Sequence, residues 1–383
     1  MIMKLQIFFN KDLLLYVIAF LVFLSVPPYF VWNVNNYSLF VCVGFIIVSF
    51  LYCKNITKEL DGIIAWLMIL LLFMYLSIFD GSNLFGFIFV FLLCFILIFP
   101  SNFLCDIFDK FVKIYAFFLI PSIFVYFLVV IFKFTFLPSQ ILEAVNEIKD
   151  YYYIQYPFLV IVEDDISIFR FMAYFDEPGV VGTISGVLLL VCNLRFDKWE
   201  TYPIIISGII SLSFAFYIML LVYLLLSENI KVKVFFLMIG VLLAIYFAND
   251  DVISKYVFDR FKIEDGQLAG VNRTVNTMDV FMERFIYSDK FWFGYGNNYA
   301  QEVVNVGGAS YKDLIVNYGI IGFILFVIIS LAVAYRHLGF SKNFFLYLII
   351  FGSIVYQRPF IFIFIYFFLL YVTIYYLKYK ENL

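Results

Sequence analysis

Charge is scarce in this chain. Charged residues fill 14% of 383 positions, and His337 is the single histidine. A Ser-His-Asp triad is therefore excluded unless His337 lies in the site. The five cysteines (Cys42, Cys53, Cys94, Cys105, Cys192) fall in apolar runs or at their ends. They offer neither a disulfide framework nor a Cys-His metal spacing. No Walker loop and no dinucleotide glycine pattern is present. The acidic pairs Asp164-Asp165 and Asp250-Asp251 are adjacent in sequence, so their side chains diverge, and no metal site is read from them. A nucleotide-sugar donor, a metal, a cofactor and a nucleic-acid partner are all unexpected on these grounds. There is also no cleavable signal pattern. Lys4 and Lys11 precede an apolar run, Leu13–Trp32, that is too long for a signal peptide and reads as a first membrane helix. No repeat and no low-complexity linker interrupts the chain.

What fills the chain instead is apolar surface. Hydrophobic residues make up 65%, and aromatics 23%, with 53 Phe and 30 Tyr. A soluble core of this length cannot absorb so much without large exposed patches. Apolar runs near ~20 residues recur throughout, as bilayer-spanning helices require. The expected fold is all-α: a polytopic membrane helix bundle of about twelve transmembrane segments in one integral domain. The spans read as Leu13–Trp32, Tyr37–Cys53, Gly62–Phe79, Leu84–Pro100, Phe111–Phe132, Gly179–Leu194, Val232–Ala248, Tyr311–Ala334, Asn343–Gln357 and Pro359–Leu377. Pro121 inside the fifth is expected to kink it. Tyr202–Leu226 forces a choice. As one span it would reverse the positive-inside bias of the C-terminal half. As two short half-helices turning at Ser211-Leu212-Ser213, it keeps every short basic loop and both termini in the cytoplasm. The second reading is adopted here.

Two polar stretches then lie outside. The first, residues 133–177, is strongly acidic. Glu143, Glu147 and Asp150 have the spacing of a surface amphipathic helix. Tyr151-Tyr152-Tyr153 and Tyr156 suit anchoring at the interface. The stretch ends in Arg170-Phe-Met-Ala-Tyr-Phe-Asp176-Glu177-Pro178-Gly179. Pro178 suits a first helical turn, and the carboxylates suit the positive end of that helix. The same residues offer an arginine to clamp an oxyanion or phosphate, and a carboxylate to deprotonate a hydroxyl. The sequence leaves both readings open.

The second stretch, residues 249–310, holds helical spacing at Val275, Met278, Phe281 or Met282, and Phe285. A glycine-aromatic turn, Phe293-Gly294-Tyr295-Gly296, follows. Arg273 and Arg284 would share a face but stand ~16 Å apart on a straight helix, too far to grip one pyrophosphate together. An ion pair with Asp279, Glu283 or Asp289 is the alternative use of Arg284.

Three of these stretches resemble the bacterial O-antigen polymerases (Wzy family), which are similar to the O-antigen ligases. They are Arg170 through Phe175-Asp176-Glu177-Pro178, Asn272-Arg273 through Phe291-Trp-Phe-Gly294-Tyr-Gly296, and Ser310-Tyr-Lys-Asp313 through Tyr318-Gly319-Ile-Ile-Gly322. The likeness spans roughly residues 170–322; the flanking spans match only in number and hydropathy. Two departures stand out. The turn Ser211-Leu-Ser213-Phe214 lacks the arginine that members often carry there. Gly307-Gly308-Ala309-Ser310 stands where ligases have a histidine, which favours polymerase over ligase.

The resemblance implies a glycosyltransferase of the bacterial inner membrane, with the two stretches as periplasmic loops. It would join undecaprenyl-pyrophosphate-linked oligosaccharide units, serving as donor and acceptor, into long polysaccharide. It implies pyrophosphate binding by Arg170 and Arg273, with Arg284 as a third cation, and Asp176 or Glu177 as the base. A chain-length regulator protein is a further implied partner. The rival readings are an O-antigen ligase and a lipid-linked oligosaccharide flippase, which performs no chemistry. Ionisable residues concentrated in two loops, with spans nearly free of charge, favour an enzyme over a transporter.

Overall fold

The computed structural model describes residues 11–34, 36–53, 91–134, 136–142, 152–162, 170–193, 197–227, 233, 263–264, 267–268, 276–296, 299–302, 311–357 and 363–381. These residues are mostly helical, with two small antiparallel sheets. Among the described residues two helices, Ser101–Ile131 and Tyr311–Leu338, are by length and composition apolar enough to cross a membrane. The chain divides into two compact units, Met1–Tyr115 with Val275–Leu383, and Ala116–Thr274.

The first unit holds α1 (Lys11–Leu24), α2 (Tyr37–Tyr52) and the start of α3 (Ser101–Tyr126). The expected first span, Leu13–Trp32, is shorter as a helix. Pro27 and Pro28 lack the amide hydrogens a continuing helix needs, so α1 stops at Leu24 and one 3-10 turn follows at Tyr29–Val31. α3 begins at Ser101, ten residues before the expected span Phe111–Phe132. That helix runs through Pro121 and ends in a π-helical turn at Phe127–Ile131. Lys110 pairs with Asp12 at 2.6 Å and lies over the Tyr16 ring, tying α3 to α1.

The expected span Gly62–Phe79 lies outside the described residues, as do the start of Leu84–Pro100 and all of Val232–Ala248 except Lys233. So do Glu143, Glu147, Asp150, Tyr151, Asp164-Asp165, Asp250-Asp251 and Arg358-Pro359.

The last helix of this unit, Phe364–Glu381, starts later than expected and runs past Lys378. From Phe364 to Leu370 each side chain is at most 2% exposed. A helix apolar on all sides must be enclosed on all sides, and this one is the centre of its unit. Asp109 accepts a hydrogen bond from the Tyr376 hydroxyl at 2.8 Å, and Phe111 meets Phe368 edge-on.

The second unit has its own enclosed helix, α4 (Pro178–Cys192), buried at every position from Gly179 to Val191. The run Tyr202–Leu226 breaks as expected into α5 (Thr201–Ile210) and α6 (Phe214–Leu226), with the break at Ser211–Ser213. Contacts along α4 give their directions. Gly182 abuts Ser211 and Ser213, Ser185 bonds Ser207 at 3.1 Å, and Gly186 abuts Met219. Moving up α4 therefore moves back along α5 and forward along α6. The two short helices fold back on each other, with their turn beside Gly182. Gly182 and Gly186 form a small-x-x-x-small stripe that lets backbones approach closely. Phe216 sits on Gly208, and the Tyr217 hydroxyl donates to the Ile209 carbonyl at 2.9 Å, closing the hairpin.

The acidic loop contains a three-stranded antiparallel sheet that its sequence did not suggest: β1 (Gln140–Leu142), β2 (Tyr153–Tyr156) and β3 (Leu159–Val162), in that order. Tyr153 is fully buried in it, not an interfacial anchor, and its hydroxyl donates to the Asp176 carbonyl at 3.0 Å.

Candidate functional site

The sheet holds the Arg170 stretch in place. The Val160 amide donates to the Ala173 carbonyl at 2.8 Å, and all of Phe171 to Phe175 is buried. Phe171 meets Tyr126, and Tyr174 meets Phe118, each edge-on. Ser122 fixes the same helix to the sheet by donating to the Phe158 carbonyl at 2.6 Å. Ala173 bends the chain with φ of 53°.

The half-buried Arg170 therefore leaves a rigid strip. Its guanidinium lies on the turn between α5 and α6, where Nε donates to the Ser211 carbonyl at 3.3 Å and Nη2 to the Leu212 carbonyl at 3.0 Å. The Phe171 amide adds a bond to the Ile210 carbonyl at 3.2 Å. These carbonyls are the negative end of α5, so a cation is stabilised there. The turn has no arginine of its own, and Arg170 reaches it from 41 residues upstream. These two bonds run from Nε and Nη2, and Arg170 has a further interaction besides them.

The opposite helix end meets the same turn. Ser213 precedes α6 in extended conformation, and its side chain does not cap the helix. Its hydroxyl is fully buried and has no hydrogen-bond partner among the described residues. An uncapped helix start presents orphan amide hydrogens and about half a positive charge. Leu212 holds φ of 49°, a conformation unfavourable to a branched side chain. A guanidinium, a helix N-terminus and a buried hydroxyl thus meet at one strained turn, which suits an anion.

Asp176 and Glu177 lie half-buried at the start of α4. Glu177 occupies the N-cap in extended conformation without a side-chain capping bond, and Pro178 takes the first helical position. The helix-start reading of this motif holds. Both residues have further interactions. At ~1.5 Å per residue, Glu177 stands ~8 Å along α4 from Gly182, which touches the turn.

In the other unit, α7 (Asn276–Phe285) forms where the apolar spacing predicts it. Met278 and Phe285 are buried against Ala300, Ile315 and Val316, with Phe281 and Met282 packed beside them. Arg284 is exposed, and among the described side chains neither Glu283 nor Asp289 forms an ion pair with it; the side chain of Asp279, the third expected partner, lies outside the description. Arg273 lies outside the described residues. The spacing of Arg273 and Arg284 therefore also lies outside the described residues, which take up α7 at Asn276.

The glycine-aromatic turn follows a short helix, α8 (Lys290–Phe293), and docks on a break in the long helix, α10 (Tyr311–Leu338); α9 (Tyr299–Glu302) lies between them. Gly319 has φ of 71° and ψ of 169° inside α10, which frees carbonyls one turn earlier. The Tyr295 amide donates to the Val316 carbonyl at 2.9 Å and the Gly296 amide to the Asn317 carbonyl at 3.0 Å. The Asn317 side-chain oxygen accepts from the Ala300 amide at 2.9 Å.

One residue of the third resembling stretch has no role assigned from the sequence. Asp313, in the first turn of α10, is 1% exposed, and neither carboxylate oxygen has a partner among the described residues. Its signal was available, since a carboxylate inside a membrane-length apolar helix is costly and seldom idle. Among the described residues no three His, Cys, Asp or Glu side chains group to hold a metal ion. No protein-family model, characterised protein or solved structure matches this chain.

Proposed function

We propose that the chain is an O-antigen polymerase, a membrane glycosyltransferase that elongates undecaprenyl-pyrophosphate-linked oligosaccharide. The observation that carries this reading is the Arg170 guanidinium on the α5–α6 turn, beside the uncapped start of α6. The reaction forms a bond from an acceptor sugar hydroxyl oxygen to the anomeric carbon of the donor. The bond from that carbon to the pyrophosphate oxygen breaks, and undecaprenyl pyrophosphate leaves. Charge builds on the leaving phosphate, where a guanidinium, helix amide hydrogens and a hydroxyl are most useful. The acceptor proton passes to a carboxylate; Asp176 and Glu177, within the same unit, are the candidates. Arg273 and Arg284 are further candidate cations from the second polar stretch.

The membrane arrangement belongs to the same proposal. It has about twelve crossings, counting α5 and α6 as half-helices. Both polar stretches face the periplasm, and both termini face the cytoplasm. Short helices whose ends meet inside a bundle, one presenting carbonyls and the other amide hydrogens, are the usual membrane device for ion binding. The implied partners are the lipid-linked donor and acceptor, the bilayer and a chain-length regulator protein.

Deletion of the gene, followed by gel analysis of surface polysaccharide, tests the reading. Loss of a polymerase leaves single repeats on the lipid A core. Long chains stranded on the carrier would identify a ligase, and a core bearing no repeats would identify a flippase. Either result overturns the proposal.

A further inference from the structure

The segment carrying α7 and α8 has a satisfied core of its own, yet it leaves large apolar side chains outside. Tyr287 is 91% exposed, Trp292 56%, Ile286 49% and Phe293 40%. These are not positions on a membrane-length helix; they belong to a polar loop by sequence. Arg284 and Lys290 are exposed among them. In water, such a patch is a liability unless something covers it.

Its depth relative to the long helix is fixed. The turn that follows Phe293 is bonded to Val316 and Asn317, and the backbone of Trp292 packs directly against Gly319. Beyond the break, Ile320 to Leu338 measures ~28 Å at ~1.5 Å per residue. That is close to the ~30 Å hydrocarbon thickness of a bilayer. A bilayer spanned by this piece of α10 has its boundary at the Gly319 break, which puts Trp292 at headgroup level. Trp and Tyr are the residues that favour that level, and a lysine beside them suits anionic headgroups.

We propose that Ile286, Tyr287, Trp292 and Phe293 form a lipid anchor seated in the bilayer interface, with Lys290 against the headgroup phosphates. The anchor holds the loop at a set depth on the external leaflet. It rests on Tyr311–Leu338 crossing the membrane, and the test separates the two claims.

Trp32, Trp66 and Trp199 are replaced by Phe, leaving Trp292 as the reporter in an otherwise full-length chain. A second variant also carries Trp292→Phe and Ile328→Trp; Ile328 is an exposed mid-helix position. Both are reconstituted in vesicles of phosphatidylcholine and phosphatidylglycerol whose chains carry bromine either near the headgroup or near the chain end. Emission from Trp292 is expected to fall more with shallow bromine than with deep, and that from the residue 328 reporter more with deep than with shallow. If the residue 328 reporter ignores both lipids, the membrane span fails and the anchor with it. If that reporter responds and Trp292 is instead quenched by aqueous acrylamide alone, the anchor is wrong. Shielding of Trp292 from lipid and acrylamide alike would mean a protein surface covers it, which also overturns the proposal. Should the Phe replacements prevent folding, Tyr287→Cys in a chain that keeps its tryptophans and has its five native cysteines changed to Ala, carrying a bromine-sensitive fluorophore, reads the same depth.

Discussion

Gly294 and Gly319 face each other backbone to backbone, and replacing either by alanine should undock the loop. A methyl group at Gly294 would run into the Asn317 carbonyl and the Gly319 amide; one at Gly319 would run into the carbonyl of Trp292. All of these are main-chain atoms, so no side chain can swing aside. Both glycines also hold backbone conformations that are nearly glycine-only, with φ of 81° and ψ of 179° at Gly294 and φ of 71° and ψ of 169° at Gly319. The conformational cost for alanine is of order 1–3 kcal/mol at each. Overpacking against a fixed neighbour adds about 1–3 kcal/mol. Each single variant should therefore lose ~3–5 kcal/mol of docking stability, more than the three hydrogen bonds at Val316 and Asn317 return at about 1 kcal/mol each. The double variant should lose less than the sum, because one separation relieves both clashes; a coupling of ~1–3 kcal/mol is expected. Native-state proteolysis near Tyr287 in detergent, with helix content followed by circular dichroism, reads the opening. A single variant within ~1 kcal/mol of the parent would refute the interlock, as would strict additivity in the double.

Further expectations concern the other unit and α10. Arg170→Lys keeps the charge but not the planar fork, so long polysaccharide should be lost while protein level holds; normal ladders would remove Arg170 from the site. Gly182→Ala pushes into Ser213 and should cost about 1–3 kcal/mol, seen as a lower midpoint of thermal unfolding. Ser213→Ala removes a buried hydroxyl with no described partner, so stability should stay within ~0.5 kcal/mol while the donor Michaelis constant rises. Asp313→Asn keeps the shape and should leave thermal stability unchanged or higher. A drop above ~1 kcal/mol would reveal a partner that the described residues do not supply.

The features legible in sequence were those with local causes. Ser211-Leu212-Ser213 interrupts an apolar run, and the positive-inside rule alone asked for a turn there. Pro178 after two carboxylates marked the start of α4. The spacing of Met278, Phe281 and Phe285 marked α7. The sheet in the acidic loop was hidden because its strands are three or four residues long. Its tight turn, Pro157-Phe158, also places Phe158 at φ of 65°, where a glycine would have announced it. Pro27-Pro28 was legible, but hydropathy alone extended the first helix past it. Arg170 on the turn is a tertiary fact, since no local rule joins residues 41 positions apart. The small-residue stripe on α4 could have been read, since Gly182 and Gly186 stand four apart.

The interlock at Gly319 also orders events during synthesis. The ribosome makes the glycine-aromatic turn before it makes the helix that receives it. Until residues 316 to 319 have emerged, the amide hydrogens of Tyr295 and Gly296 have no carbonyl to meet. Domains generally organise from the N-terminus as they appear, but this loop must wait for its C-terminal neighbour. Any arrest of translation before Gly319 would leave Trp292 and Phe293 without their seat, and a chaperone or protease would meet that stretch first.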